Sequence, residues 1–408
     1  MEKNLKFQFN CEALSLNWNR VFEYNGFRAE IMHRHGEPPN ALRIAIVRDD
    51  LSIELLPSKG LSVGEVFYGK LPVFWDPPAE LPDTDQLNLI SPEIAISGKA
   101  SKGFTYLKTF MAGIEFYGLR NWGMPRKDQH TGEIHPLHGE TSNIPVKTVT
   151  GQFHRDYLEM TTTFLYRSFN YDSELPWYES GKPIYKITKT VILPSEANYF
   201  KITDRVENIT DSIVVPDWGY HITFRPEKGS KLLVPSEKIE ERSGGKIPDD
   251  IETWYPAINP ETRNETGIIH KGLKIFENDG KKVNKVLMYY PSGRGFVLSF
   301  APTPYFQTWF CNGGANSDEF TLASNNQPVL KKNWDGQGIE IGSSPLDHNG
   351  NIDTSVVYKE ILQPGEALEN EIKIEMLSGP QVKPLQDDIM SFNSLKRKST
   401  GEQRIRLK

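Results

Sequence analysis

A chain of 408 residues, 38% of them hydrophobic, holds enough apolar material for one large domain or two ordinary ones. Its net charge of −6, with no basic field along the chain, argues against a nucleic-acid partner, and no run of about 18 apolar residues offers a membrane span. Cys11 and Cys311 belong to no CxxC pair, which excludes a disulfide framework and a cysteine zinc site.

The opening residues, Met1-Glu2-Lys3-Asn4-Leu5-Lys6, lead into Phe7-Gln8-Phe9-Asn10 rather than an apolar core. They do not read as an export signal, so the expected location is cytoplasmic, and the triplets Asn208-Ile209-Thr210 and Asn264-Glu265-Thr266 match a glycosylation acceptor by chance. Residues 1–40 read as an N-terminal extension or an early strand pair. Alternating, β-branched runs at 42–47 and 51–56 then predict strands. A proline-rich loop follows at 76–83. A helix is conceivable over 94–107, although Gly98 and Gly103 weaken it. A second polar loop spans 122–136. Further strands are predicted at 161–165, 187–193 and 198–206, and a third loop at 242–250. Strands resume at 285–290, 295–300, 354–360 and 369–376. Residues 381–408 lose periodicity and read as a basic tail containing Lys396-Arg397-Lys398. A period of two, punctuated by 28 prolines and 32 glycines, predicts that 41–380 form one all-β domain of large antiparallel sheets. No repeat of 20–50 residues signals a propeller.

Three separated sites carry the candidate chemistry: Leu137-His138-Gly139, Tyr220-His221 and Gly338-Ile339-Glu340-Ile341. Gly139 permits a close backbone approach beside His138. His221 points away from Tyr220 and Ile222 on an alternating strand, and Glu340 points away from Ile339 and Ile341. Each has a plain structural reading: a histidine fixing its own turn, a satisfied buried histidine, the polar half of an amphipathic strand. If Glu340 faces a pocket, partial burial raises its proton affinity and suits it to base work near neutrality. His130, His135 and His138 lie near Asp128 and Glu133 but lack the His-Glu-x-x-His arrangement, so no metal is expected. No Gly-x-Gly-x-x-Gly, phosphate-binding loop or Gly-x-Ser-x-Gly elbow occurs, and no cofactor is expected.

With Leu56-Pro57-Ser58-Lys59-Gly60-Leu61, Gly118-Leu119-Arg120-Asn121-Trp122-Gly123, the 137–145 block, Tyr220-His221-Ile222-Thr223-Phe224 and Leu362-Gln363-Pro364-Gly365-Glu366, the chain resembles the aldose 1-epimerase (galactose mutarotase-like) superfamily, most closely its aldose 1-epimerase-like branch. The resemblance covers about residues 51–377. It implies a β-supersandwich with an open sugar-binding face and an enzyme that interconverts sugar anomers. It places His221 as the acid to the ring oxygen, Glu340 as the base at the anomeric hydroxyl and His138 as a helper. Arg120 falls where a sugar-contacting arginine is expected, with Asn121 and Trp122 beside it. Asp217 and Trp309 are candidates for hydroxyl binding and ring stacking. The second histidine motif departs from the branch in running on to Arg225-Pro226, so Arg225 and Lys228 either reach an anionic sugar or decorate the rim. Two other functions stay open: a lyase or glycoside-cleaving enzyme on the same scaffold, and a carbohydrate-binding protein without turnover. The expected partner is a small sugar or oligosaccharide; the oligomeric state is not legible.

Overall fold

The computed structural model describes residues 5–11, 20–33, 37–38, 41–79, 81, 83–84, 87, 109–127, 134–170, 173–196, 198–260, 262, 264–314, 333–346 and 360–399. The helix conceivable over 94–107, residues 354–359 of the strand expected at 354–360, and His130, Asp128 and Glu133 lie outside them.

Two large antiparallel sheets, of ten and twelve strands, stack face to face, as the alternating pattern predicts and as the β-supersandwich implied by the family resemblance requires. Strands of the ten-stranded sheet show why. Lys182–Pro194 and Tyr199–Asn208 bury every second residue. Ile187, Val191, Phe200, Ile202 and Val206 enter one shared core while the intervening residues stay partly exposed. Burying one face of such strands is the main stabilising term, at ~25 cal/mol per Å² of apolar surface.

The centre of the twelve-stranded sheet behaves differently. Ile114–Leu119 and Gly336–Gly342 are buried at every position, and Asp217–Phe224 at all but its first. One face of these strands supplies the core, through Phe116, Tyr220, Ile222, Ile339 and Ile341. The other face is buried without belonging to that core, and it carries the candidate chemistry. A charged contact joins the layers behind it: Tyr220 donates its hydroxyl to Asp204 (2.6 Å), which also pairs with Lys189 (2.7 Å). Both charges are buried, so each needs the other, and the pair with the Tyr220 hydroxyl ties the 217–224 strand to the opposing sheet.

The chain ends close onto these sheets. Leu5–Asn10 pairs with Thr148–Phe153 at the edge of the ten-stranded sheet, and the hairpin Arg20–Tyr24/Phe27–Met32 ends the twelve-stranded one. The expected tail at 381–408 is instead helical over Gly379–Ser399. Val382 and Ile389 pack on Leu233, Leu287 and Val297. Asn393 donates to the Val234 carbonyl and accepts from the Ser236 amide, covering the exposed edge of the sheet. Pro384 lies inside the helix, where it removes one backbone hydrogen bond, and with Pro380 it hides the helical pattern in the sequence.

Candidate active site

The site is a row of side chains laid across six neighbouring strands. Register places Glu115 opposite His221, His221 opposite Glu340, Glu340 opposite Gln307, Gln307 opposite Ile269 and Ile269 opposite Glu240. Directly opposed residues on one face meet side by side. His221 Nε2 accordingly stands 3.7 Å from Glu340 Oε1. Tyr117 directs its hydroxyl at Glu340 Oε2 from 3.5 Å, and Gln307 also hydrogen-bonds the Glu340 carboxyl.

The glutamate strand reads Gly338-Ile339-Glu340-Ile341-Gly342, and both glycines are needed. The Trp309 indole lies over Gly338 so closely that an added Cβ would fall 1.9 Å from its Cε2. Trp122 covers Gly342 in the same way, at 2.3 Å from Cζ2. Two indoles therefore flank the carboxylate. Both Nε1 donors are buried and meet no acceptor among the described residues, a condition rare in folded proteins and expected where a polar ligand supplies the partner. Trp75, Phe110 and Trp334 complete an aromatic wall with Trp309, and the Phe110 ring packs 4.3 Å from His221.

His138 arrives from a loop. His138 and Gly139 both have positive φ, 57° and 66°. At Gly139 a Cβ would strike the carbonyl oxygens of Asn121 (2.8 Å) and Gly118 (2.9 Å), so only glycine allows this backbone approach. The turn brings the His138 ring within 4.5 Å of Tyr117 and 5.9 Å of His221. Its Nδ1 lies 2.6 Å from the Trp122 carbonyl oxygen, which requires Nδ1–H as donor and leaves Nε2 as an acceptor.

Burial dominates the proton affinities. It lowers His138 to about 4, opposed by its bond to the Trp122 carbonyl and by Glu115. It drives His221 well below the ordinary imidazole value, helped by His138 and Arg242. It raises Glu340 from 4.5 to about 7, against the pull of Arg242, Gln307 and Tyr117. Both histidines are thus neutral near pH 7, while Glu340 is poised to gain or lose a proton. Behind His221 a second charged pair is fully buried: Lys59 Nζ lies 3.4 Å from Glu115 Oε1 and donates to Asn143 Oδ1 at 2.8 Å. Burial lowers the Lys59 pKa, and Glu115 counters it.

Of the residues singled out from sequence, the fold gathers His138, His221, Glu340, Trp309 and Trp122 at one place. Asn121 instead shapes the loop: its amide donates to the carbonyls of Gly123, Met124 and Pro136. Asp217 lies on the His221 face but at the far end of the strand, accepting from Ser344 Oγ at 2.7 Å. Arg120 and Asp217 both act electrostatically on Tyr185, a residue of the opposing sheet. Arg225 is exposed beyond the other end of that strand. The cation whose charge acts on His138, His221 and Glu340 is Arg242, which sequence reading did not select. Tyr117, Gln307, Lys59 and Glu115 were missed likewise. Their place follows from strand register, for which the only local signal was the pair of glycines around Glu340.

Among the described residues, no group of three or more His, Cys, Asp or Glu is arranged to hold a metal ion. Residues 40–314 match the family described as "Domain of unknown function (DUF4432)". No curated protein matches the chain by sequence. Among solved structures, a Klebsiella pneumoniae protein provisionally assigned as an aldose 1-epimerase is 17% identical, with 95% of this chain and 92% of that one covered and a TM-score of 0.69. A galactose mutarotase-like protein of Clostridium acetobutylicum (13% identity, 86% and 98% covered, TM-score 0.51) and the Slr1438 protein of Synechocystis sp. PCC 6803 (15%, 85% and 100%, 0.51) share the fold.

Proposed function

Because the chain belongs to the family described as Domain of unknown function (DUF4432) and has the galactose mutarotase-like fold, we propose that it is a carbohydrate-active enzyme that interconverts the anomers of a reducing sugar, with His221 and Glu340 as its proton carriers. The observation that carries this reading is the side-by-side placement of the two groups, 3.7 Å apart, on a buried aromatic face outside the core. The two oxygens of a hemiacetal share one carbon, so they can meet two neighbouring proton carriers at once.

One carrier takes the proton of the anomeric hydroxyl. The electron pair of that O–H bond becomes the carbonyl π bond as the bond from the anomeric carbon to the ring oxygen breaks. The other carrier protonates the ring oxygen. Rotation of the aldehyde presents its other face, and the same transfers in reverse close the ring to the opposite anomer. The pair must hold one proton in total, whichever member carries it. Burial favours the uncharged form, with the proton on Glu340 and His221 as the base. Transfer to His221 gives the converse assignment that family resemblance implies; in either one, each carrier serves the same hemiacetal oxygen in ring opening and in closure. His138, with Nδ1 committed to the Trp122 carbonyl, offers Nε2 to a neighbouring sugar hydroxyl. The unpaired indole N–H groups of Trp309 and Trp122 are donors for further hydroxyls.

Glycoside cleavage fits less well. It requires a second carboxyl group at the scissile bond. Glu115, the next carboxylate toward the sheet centre, is tied to Lys59 and to the Ala112 amide. Polarimetry with freshly dissolved sugars tests the reading: wild type accelerates mutarotation, and Glu340→Gln reduces the acceleration roughly 10²–10⁴-fold while remaining folded. Absence of acceleration across neutral, acidic and phosphorylated sugars refutes it.

A further inference from the structure

The row does not stop at Glu340. Two strands farther on it enters a cleft of about 740 Å³ on the same face of the sheet, walled by Ile269, Tyr305, Leu346 and Arg242. The connection is structural as well as spatial. Tyr305 packs edge-on against Trp122 and donates its hydroxyl to Gln307 Oε1 at 2.8 Å, and Gln307 bonds Glu340. Ile269 and Leu346 pack into the same cluster as Tyr117 and Trp122. At ~4.8 Å between strands, Ile269 lies about 10 Å from Glu340 across the sheet. A single pyranose held by His221 and Glu340 does not span that distance; a glycosidically linked pair does.

The lining indicates what kind of group the cleft takes. Charges are present but cancel locally. Glu240 accepts from Lys238 and Lys271, each at 2.7 Å, Arg242 is matched by Glu265 at 3.5 Å, and Glu241, which accepts from the Gly245 amide, supplies the third carboxylate against these three cations. An isolated anion finds no unmatched cation among these residues. Apolar surface from Ile269, Tyr305 and Leu346 alternates instead with donors and acceptors of both kinds, which suits the apolar face and hydroxyl rim of a neutral sugar ring. We infer that this cleft is a second sugar subsite, so that the substrate is a reducing oligosaccharide whose reducing-end ring sits at His221 and Glu340 and whose next ring lies over Tyr305 and Ile269. The inference rests on the proposed anomer chemistry for the position of the first ring.

Competition between substrates tests it. Wild type is assayed for mutarotation of glucose and of α- and β-linked glucosyl-glucose, alongside Lys271→Trp, which fills the cleft from its exposed wall, and Lys271→Ala, which does not. Binding of the same sugars is followed by calorimetry, and folding by thermal melting. The expected result is a kcat/KM at least tenfold higher for one of the disaccharides than for glucose, a ratio that collapses about tenfold in Lys271→Trp and survives in Lys271→Ala. Equal or better turnover of glucose, or a ratio indifferent to Lys271→Trp, overturns the subsite and leaves the anomer chemistry standing. If no sugar is turned over but a disaccharide binds in a manner Lys271→Trp abolishes, the subsite stands and the proposed chemistry falls. Binding of neither sugar overturns both. Should Lys271→Trp fail to fold, the wild-type preference and the disaccharide's calorimetric affinity relative to glucose decide alone.

Discussion

Glu340→Gln should make the protein more stable above neutral pH, and this follows from the same burial that gives the carboxyl its proposed role. An ordinary glutamate ionises at 4.5, but in the folded chain Glu340 does so at about 7. At ~1.4 kcal/mol per tenfold change in proton affinity, its ionised form costs the folded state about 3 kcal/mol. The sign is fixed by which state holds the proton. Below pH 4.5 the group is protonated in both states and costs nothing. Between 4.5 and 7 the folded protein holds the proton and the unfolded chain releases it, so stability falls as pH rises. Above 7 the full cost is present. Glutamine has nearly the same shape, never ionises and still accepts from Tyr117. For a chain of this length, 1 kcal/mol moves Tm by about 1 °C. Melting curves of wild type and variant should therefore coincide near pH 4.5 and separate by about 3 °C in the variant's favour at pH 8. A difference independent of pH, or a variant less stable at pH 8, would show that Glu340 is not a buried carboxyl of raised pKa.

Other substitutions probe the surroundings. Gly338→Ala sets a Cβ 1.9 Å from Trp309 Cε2, so the indole must leave its place beside His221; a stability loss of about 1–3 kcal/mol and at least a tenfold loss of mutarotation are expected, with altered tryptophan fluorescence as the direct check. Lys59→Met strands the Glu115 carboxylate in a fully buried position and should cost about 3–5 kcal/mol in chemical denaturation. Adding Glu115→Leu should recover much of that loss, and a double variant as unstable as the single one would contradict pairing as the cause.

Local patterns made much of this molecule readable. The strict alternation of 187–193 and 198–206 foretold half-buried antiparallel strands, and the isoleucines around Glu340 and the Tyr220/Ile222 pair around His221 foretold that these two side chains leave the core. Which residues meet across strands was not readable, because register is fixed by long-range pairing. That is why Arg225, four positions from His221 in sequence, ends up exposed, while Arg242 on a distant strand edge acts on the site. Asn121 sits in a motif beside the site, yet its amide is drawn to three loop carbonyls that nothing in the local sequence announces. The C-terminal helix did carry a signal, in Val382, Leu385 and Ile389 at helical spacing, but Pro380 and Pro384 masked it.

The most direct measurement is the pH dependence of anomer exchange, read by magnetisation transfer between the α and β anomeric protons of a reducing sugar, for wild type and Glu340→Gln. The working state has one proton on the His221–Glu340 pair. kcat/KM should therefore fall on the alkaline side with a midpoint near 7, as Glu340 loses that proton, and on the acid side only well below 6.5, as His221 gains a second one. The glutamine variant should lose the alkaline limb together with most of the rate. Exchange no faster than in buffer, or a wild-type rate flat from pH 5 to 9, would contradict proton transfer by this pair.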